Sequence, residues 1–101
     1  MTIKPWEIWW ALFSYEDSPE KKRRPVLVLD PPTVYVLSYK ITSHEARNLY
    51  GEYELIQWQS AGLDRPSTVR LTQLQQLEYA DFQKKIGDLH PEDRRYIEMK
   101  I

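Results

Sequence analysis

The sequence predicts a mainly β (α+β) protein, a small and strongly curved sheet that closes partly into a barrel and carries one helix at its C-terminal end. Aromatic residues make up 13% of the chain, with four Trp and seven Tyr, which favours wide, flat side chains packed on a sheet. The β-forming runs are short and separated by turn residues, enough for roughly five to seven strands. The terminal segment opens with Pro91 followed by Glu92 and Asp93, a helix-start signature. Closure follows because a short sheet with free edges is prone to mispairing.

In chain order, Glu7 to Phe13 reads as the first strand, ending at the polar, Pro-containing segment from Ser14 to Glu20. The basic quartet Lys21-Lys22-Arg23-Arg24 reads as a loop leading into a second strand, Pro25 to Asp30. Pro is admissible at a strand's first position, and the unbroken apolar run implies burial on both faces. After Pro31-Pro32, Thr33 to Thr42 forms a third strand, spaced to pair antiparallel with the second and to bring Thr42 near Arg24.

Ser43 to Asn48 suits one helical turn, and a strand from Glu52 to Trp58 follows Gly51. Ala61 to Pro66 is turn chemistry. Ser67 to Leu71 and Gln73 to Leu77 then alternate as one long bent strand, with a last short strand in Gln83 to Leu89. Pro91 to Ile101 is the terminal helix, with His90 at its cap in place of the usual Ser or Asp.

A chain of 101 residues holds one core and therefore one domain, residues 1–101. With 42% hydrophobic and 29% charged residues it has the balance of a folded globule. The absence of cysteine excludes disulfides, thiolate metal sites and cysteine nucleophiles, and fits a reducing cytoplasmic location. Met1 to Trp6 lacks the apolar run of a signal peptide, and no stretch approaches the roughly 18 apolar residues of a membrane helix. Net charge is −1, so any anion site must be built locally.

Two places hold candidate chemistry. Arg24, next to the buried strand, is the member of the basic quartet best placed to aim a forked donor pair at phosphate; Lys21, Lys22 and Arg23 equally suit a solvated loop. Thr42-Ser43-His44 sets two hydroxyls and an imidazole at a strand end, although Ser43 equally suits the cap of the helical turn that follows. His44 and His90 lack the paired spacing of a metal site, and three dispersed glycines form no phosphate loop, so no metal and no nucleotide cofactor is expected.

Four blocks carry a resemblance: Glu7-Ile8-Trp9-Trp10-Ala11, Arg24-Pro25-Val26-Leu27-Val28, Lys40-Ile41-Thr42-Ser43-His44, and Arg65-Pro66-Ser67-Thr68-Val69-Arg70-Leu71. In order and spacing, from about Pro5 to Ile97, they resemble the MazF/PemK family of type II toxin–antitoxin toxins. The resemblance implies a small SH3-like, CcdB/PemK-type barrel that forms a homodimer and cleaves single-stranded RNA (mRNA) without metal. It also implies a cognate antitoxin that blocks the RNA groove. The family's arginine at the start of the second strand falls on Arg24, and its catalytic hydroxyl residue on Thr42, with Ser43 beside it.

Some relatives carry an Arg-x-Asp pattern where this chain has Arg70-Leu71-Thr72, so the arginine carries over and the carboxylate does not. His44, with an ordinary pKa of about 6.5, is then the candidate to move the protons. The implied RNA path makes Lys21, Lys22, Arg23, Arg65, Arg70 and Thr72 candidate RNA contacts. Exposed members of Trp9, Trp10, Tyr15, Tyr50 and Trp58 are candidates to stack bases. A degenerate member that binds antitoxin or RNA without cutting, and a peptide-binding SH3-like adaptor, are the competing readings.

Overall fold

The computed structural model describes residues 2–14, 20–30, 35–42 and 51–101, with the backbone alone at 14, 30, 35–42 and 72–74. The strands are β1 (Glu7–Ser14), β2 (Lys21–Asp30), β3 (Tyr35–Thr42), β4 (Glu52–Glu54), β5 (Thr68–Glu78) and β6 (Phe82–Asp88), with a 3-10 turn Tyr79–Asp81 before β6. Helix α1 spans Pro91–Lys100. The strands form one sheet in the order β4-β5-β3-β2-β1-β6, with every neighbouring pair antiparallel. Among the described residues the sheet's two ends, β4 and β6, do not pair with each other.

Register shifts bend the sheet at Ile8/Trp9 and Trp10/Ala11 against β6, and at Val28/Asp30 against β3. The largest lies in β5, where Tyr39 pairs with Leu74 and the next residue, Lys40, with Arg70. Leu71, Thr72 and Gln73 therefore stand between successive ladder positions. Extra residues on one strand increase local twist, and this one allows β5 to serve both β3 and the short edge strand β4.

The two faces carry separate apolar clusters. Ile8, Leu27, Leu55, Ala61, Leu63, Val69, Leu89 and Ile97 pack under α1 and the 55–63 loop. Ile3, Trp9, Ala11, Phe13, Val26, Val28, Leu77 and Phe82 fill the other face, where Trp9 and Phe82 meet edge to face at 5.9 Å. Val26, Leu27 and Val28 all have 0% exposure. The unbroken apolar run in β2 is thus explained by alternation into two cores.

Two elements differ from the sequence expectation. The basic quartet is the first part of β2, not a loop: Lys21, Lys22, Arg23 and Arg24 pair with Ser14, Phe13, Leu12 and Ala11. Pairing with β1 overrides the weak β propensity of four consecutive cations, and Pro25 lies inside the strand opposite Trp10. Second, β4 stops at Glu54 instead of Trp58. The amides of Ile56 and Gln57 are taken by the Asp93 carboxylate at 2.9 and 2.8 Å, which turns the chain away from the sheet. The turn expected at Ser43 to Asn48 lies outside the described residues.

His90 does cap α1. Its Nδ1 accepts the Glu92 amide at 3.1 Å, leaving Asp93 free to bind across to β4 and the following loop rather than to its own helix end.

Candidate active site

Pairing of β2 with β3 runs Val26↔Lys40, Leu27↔Tyr39 and Val28↔Ser38. Continued by two residues along both strands, the same register brings Arg24 level with Thr42. Thr42 in turn pairs with Thr68 on β5, and Thr68 with Glu54 on β4. Arg24, Thr42, Thr68 and Glu54 therefore occupy one transverse row across four strands. The neighbouring row holds Val26, Lys40, Arg70 and Glu52.

Directly paired residues share a sheet face, as do residues two apart on one strand. Over β1 and β2 this face is apolar, with Trp9, Ala11, Phe13, Val26 and Val28 buried. Over β3, β5 and β4 it carries hydroxyls and charges: Thr68 is 1% exposed and Glu52 8%. Buried polar residues persist only where they are satisfied or have work to do, so this half of the face is the candidate site.

Arg24 stands at the border between the halves. It is half-buried beside Ala11, and its Nη1 donates to the Arg23 carbonyl at 3.0 Å. Arg70 approaches Glu52 through Nε, 3.8 Å from Oε1. That Nε is buried and has no hydrogen-bond partner among the described residues.

The sequence of residues 4–101 matches the model of the PemK-like, MazF-like toxins of type II toxin–antitoxin systems. The chain belongs to this family. Among solved structures, this PemK/MazF-like chain is similar to Mycobacterium tuberculosis toxin MazF-mt6, with a TM-score of 0.76 and 25% identity over 94% of this chain and 91% of that one. It is also similar to a second structure described as an Mtb toxin, with a TM-score of 0.67 and 26% identity over 77% of this chain and 88% of that one. No curated protein sequence matches it. The six-stranded, mainly β fold with a C-terminal helix is thus that of MazF toxins.

In this MazF-like chain the remaining candidates divide between the faces and the rim. Strand alternation sends Arg24 to the Val26 face and Arg23 to the other, where its guanidinium lies 4.5 Å from the Trp10 ring. Lys21 Nζ binds the buried Asp81 carboxylate at 3.0 Å, and Asp81 also accepts the Glu78 amide at 3.1 Å. Lys22 is exposed opposite Phe13. Arg65 is exposed beside Asp64 at 3.3 Å, three residues before Thr68 and hence at the Thr42 end of the sheet. Thr72 falls in the inserted stretch of β5, its backbone alone described.

Ser43 and His44 lie outside the described residues, as do Tyr15 and Tyr50. Of the other aromatic candidates, Trp9 is buried at 6% exposure with its Nε1 donating to Glu7 at 3.0 Å. Trp58 packs against the cluster beneath the helix. Trp10 is half-buried, with its Cα partners Pro25 and Lys84 on either side.

Sequence reasoning did not select Lys40, Glu52, Glu54 or Thr68. The alternation in Glu52-Tyr53-Glu54 and in Thr68-Val69-Arg70 was readable, but their meeting depends on β5 lying between β3 and β4, which no local pattern encodes.

Two buried carboxylates, Glu7 and Asp93, are built into the frame away from this half of the face. Burial alone would raise the Glu7 pKa; bonds from Lys85 at 2.8 Å, the Lys4 amide at 2.7 Å and Trp9 outweigh it and hold the group below its usual value. Tyr53 is pushed well above the ordinary phenol range, first by burial and then by the Asp93 carboxylate that accepts its proton at 2.6 Å.

Proposed function

We propose that this chain is a sequence-selective, metal-independent endoribonuclease that cuts single-stranded mRNA, acts as a homodimer in the cytoplasm, and is neutralised by a cognate antitoxin. Membership of the toxin family supports the class of activity. The observation that supports the site assignment is the pairing of Val26 with Lys40 across β2 and β3, which, continued by two residues, brings Arg24 level with Thr42.

In this reaction the ribose 2′-hydroxyl attacks its own 3′-phosphate. The new O–P bond gives a 2′,3′-cyclic phosphate, and the P–O5′ bond breaks. The 2′-proton is removed and a proton is delivered to the leaving 5′-oxygen, so the products are a cyclic phosphate and a 5′-hydroxyl end. Because RNA supplies the nucleophile, DNA is inert.

Arg24 stabilises the charge that grows on the phosphorane oxygens, with Thr42 and Ser43 as further hydrogen-bond donors. A guanidinium stays protonated and cannot be the base, and Thr72 stands where some relatives have an acid. His44 is therefore assigned the proton transfers. Lys21, Lys22, Arg23, Arg65, Arg70 and Thr72 are assigned to RNA binding.

The test is incubation of purified protein with RNA in excess chelator, followed by sequencing of the new 5′ ends and analysis of the 3′ ends. Recurrent cuts with 5′-hydroxyl and cyclic phosphate ends are expected, and an all-DNA substrate of the same sequence stays whole. RNA left intact while still bound would replace the nuclease with a binding module.

A further inference from the structure

On the sheet face opposite Arg24, Ile8 and Leu27 pair with each other and are closed to solvent beneath α1 and the 55–63 loop. That cover stops one row short of the next pair. Trp10 there has Pro25 of β2 on one side and Lys84 of β6 on the other; the indole and the proline are half-buried, and Lys84 is exposed. Lys85, the next residue, turns to the other face and binds Glu7, the acceptor of the Trp9 indole. One row further on, Leu12 pairs with Arg23, whose exposed guanidinium lies 4.5 Å from the centre of the Trp10 ring. A partly open indole therefore has a cation on its β2 side and another on its β6 side.

Neither cation has an ion pair among the described residues, whereas Lys21, Arg65, Arg70, Lys85 and Arg94 each approach a carboxylate. The chain has 15 acidic residues against 14 basic ones, so the lack of a counter-charge here is not a shortage of acids. The indole holds the Arg23 guanidinium by its ring quadrupole, which orders a planar set of donors without occupying them. A ring, a planar fork and an ammonium side by side match a polymer in which flat bases alternate with anions, as in single-stranded nucleic acid.

Arg23 and Arg24 are consecutive in β2 and face opposite ways, so one phosphate cannot meet both. The last row of the β1–β2 pair, Ser14 with Lys21, is three residues from Arg24, about 10 Å along the strand. That is a short span for an extended polymer passing from one face to the other.

We propose that Trp10, Arg23 and Lys84 form a second RNA-binding surface on the face opposite Arg24, where a base flanking the cut stacks on the Trp10–Arg23 pair and neighbouring phosphates meet Arg23 and Lys84. The proposal rests on the RNA-cleaving reading above. It adds Lys84 to the RNA contacts and puts Arg23 on a different phosphate from the one that is cleaved.

The test is the salt dependence of binding to a single-stranded 2′-O-methyl RNA, which cannot be cut. Lys84→Gln and Arg23→Gln should each lower the slope of log K against log salt by about 0.7, the value for one lost phosphate contact on a single strand. Arg23→Gln combined with Arg24→Gln should lower it by about 1.4, because the two guanidinia hold separate phosphates. Trp10→Leu should weaken binding on the order of tenfold, the scale of one stacked base; if that variant fails to fold, Lys84→Gln, at an exposed position, carries the test. A merely structural role for Arg23 would lower the unfolding midpoint and leave the slope alone.

Unchanged slopes in both single variants would overturn the proposal, and loss of poly-glutamate binding in the same variants would give the surface to an acidic protein segment instead. A double variant that loses no more slope than Arg23→Gln alone would put both arginines on one phosphate and overturn it too. Wild-type protein that binds the 2′-O-methyl RNA, with variants showing the expected slopes, but cuts no RNA would remove the nuclease reading and leave the surface standing. Protein that binds no RNA would overturn the surface as well.

Discussion

The Tyr53 hydroxyl donates to Asp93 Oδ1 at 2.6 Å and ties the edge strand β4 to the first turn of α1. The same carboxylate, 0% exposed, accepts the Ile56 and Gln57 amides. One acidic side chain therefore satisfies three donors, one on β4 and two on the segment that leaves the sheet. Asp93→Ala is expected to destabilise the protein by about 2–4 kcal/mol, since it strands buried donors. Tyr53→Phe should cost about 1–2 kcal/mol, because the two amides keep their acceptor. Urea unfolding measures both, and equal effects would show that the amides contribute nothing.

That bond also shapes the alkaline limit of stability. The Tyr53 pKa is raised in the folded state, so its contribution is complete below pH 10 and is lost as pH climbs from there towards the folded value. Tyr53→Phe should make stability decline less steeply above pH 10, read from unfolding midpoints across an alkaline series.

Glu7 works in the opposite direction. Its folded pKa lies below the ordinary 4.5, so its contribution is present above about pH 4.5 and disappears as pH falls through the folded value. Glu7→Gln should flatten the acid limb of the stability profile and leave the profile's shape near pH 7 unaltered. Equal acid sensitivity in variant and wild type would assign the acid limb to other carboxylates.

Arg24→Ala should reduce RNA cleavage on the order of 100- to 1000-fold, the scale of removing one transition-state donor, with little change in unfolding midpoint because its guanidinium stands at the border of the core. Arg24→Lys should restore little, since a single ammonium lacks the forked geometry. Cleavage rates beside melting curves decide it; a variant that melts early explains lost activity trivially.

The chain's backbone is tight where the loop crosses β6. A Cβ at Gly87 would stand 2.1 Å from the Ala61 carbonyl oxygen, and one at Gly62, whose φ is 95°, would stand 2.6 Å from the Ile86 oxygen. Gly87→Ala must move backbone against backbone and should destabilise by about 1–3 kcal/mol or more, measured by thermal unfolding.

The strands were legible where apolar alternation and turn residues agree, as in β1, β3, the long bent β5 and β6, and the helix was legible from Pro91, Glu92 and Asp93. The start of β2 was not, because four cations are a poor strand by propensity and become one only through pairing with Ala11 to Ser14. The end of β4 was hidden for a related reason: Asp93, which reads locally as a partner of the helix dipole, takes amides some 36 residues away. For the site, proximity of Arg24 and Thr42 followed from the hairpin spacing. Thr68, Glu54 and Glu52 join them only through strand order, which is a property of the assembled sheet.

Val26, Leu27 and Val28 are closed to solvent on both sides of β2, so this strand cannot open without dismantling both clusters together. Its amide protons should exchange only when the whole molecule unfolds, whereas edge strand β4 can fray on its own. Arg24 is thus mounted on the slowest clock in the protein. On the proposed reading, the group that meets the scissile phosphate is therefore carried by the part of the fold that opens last.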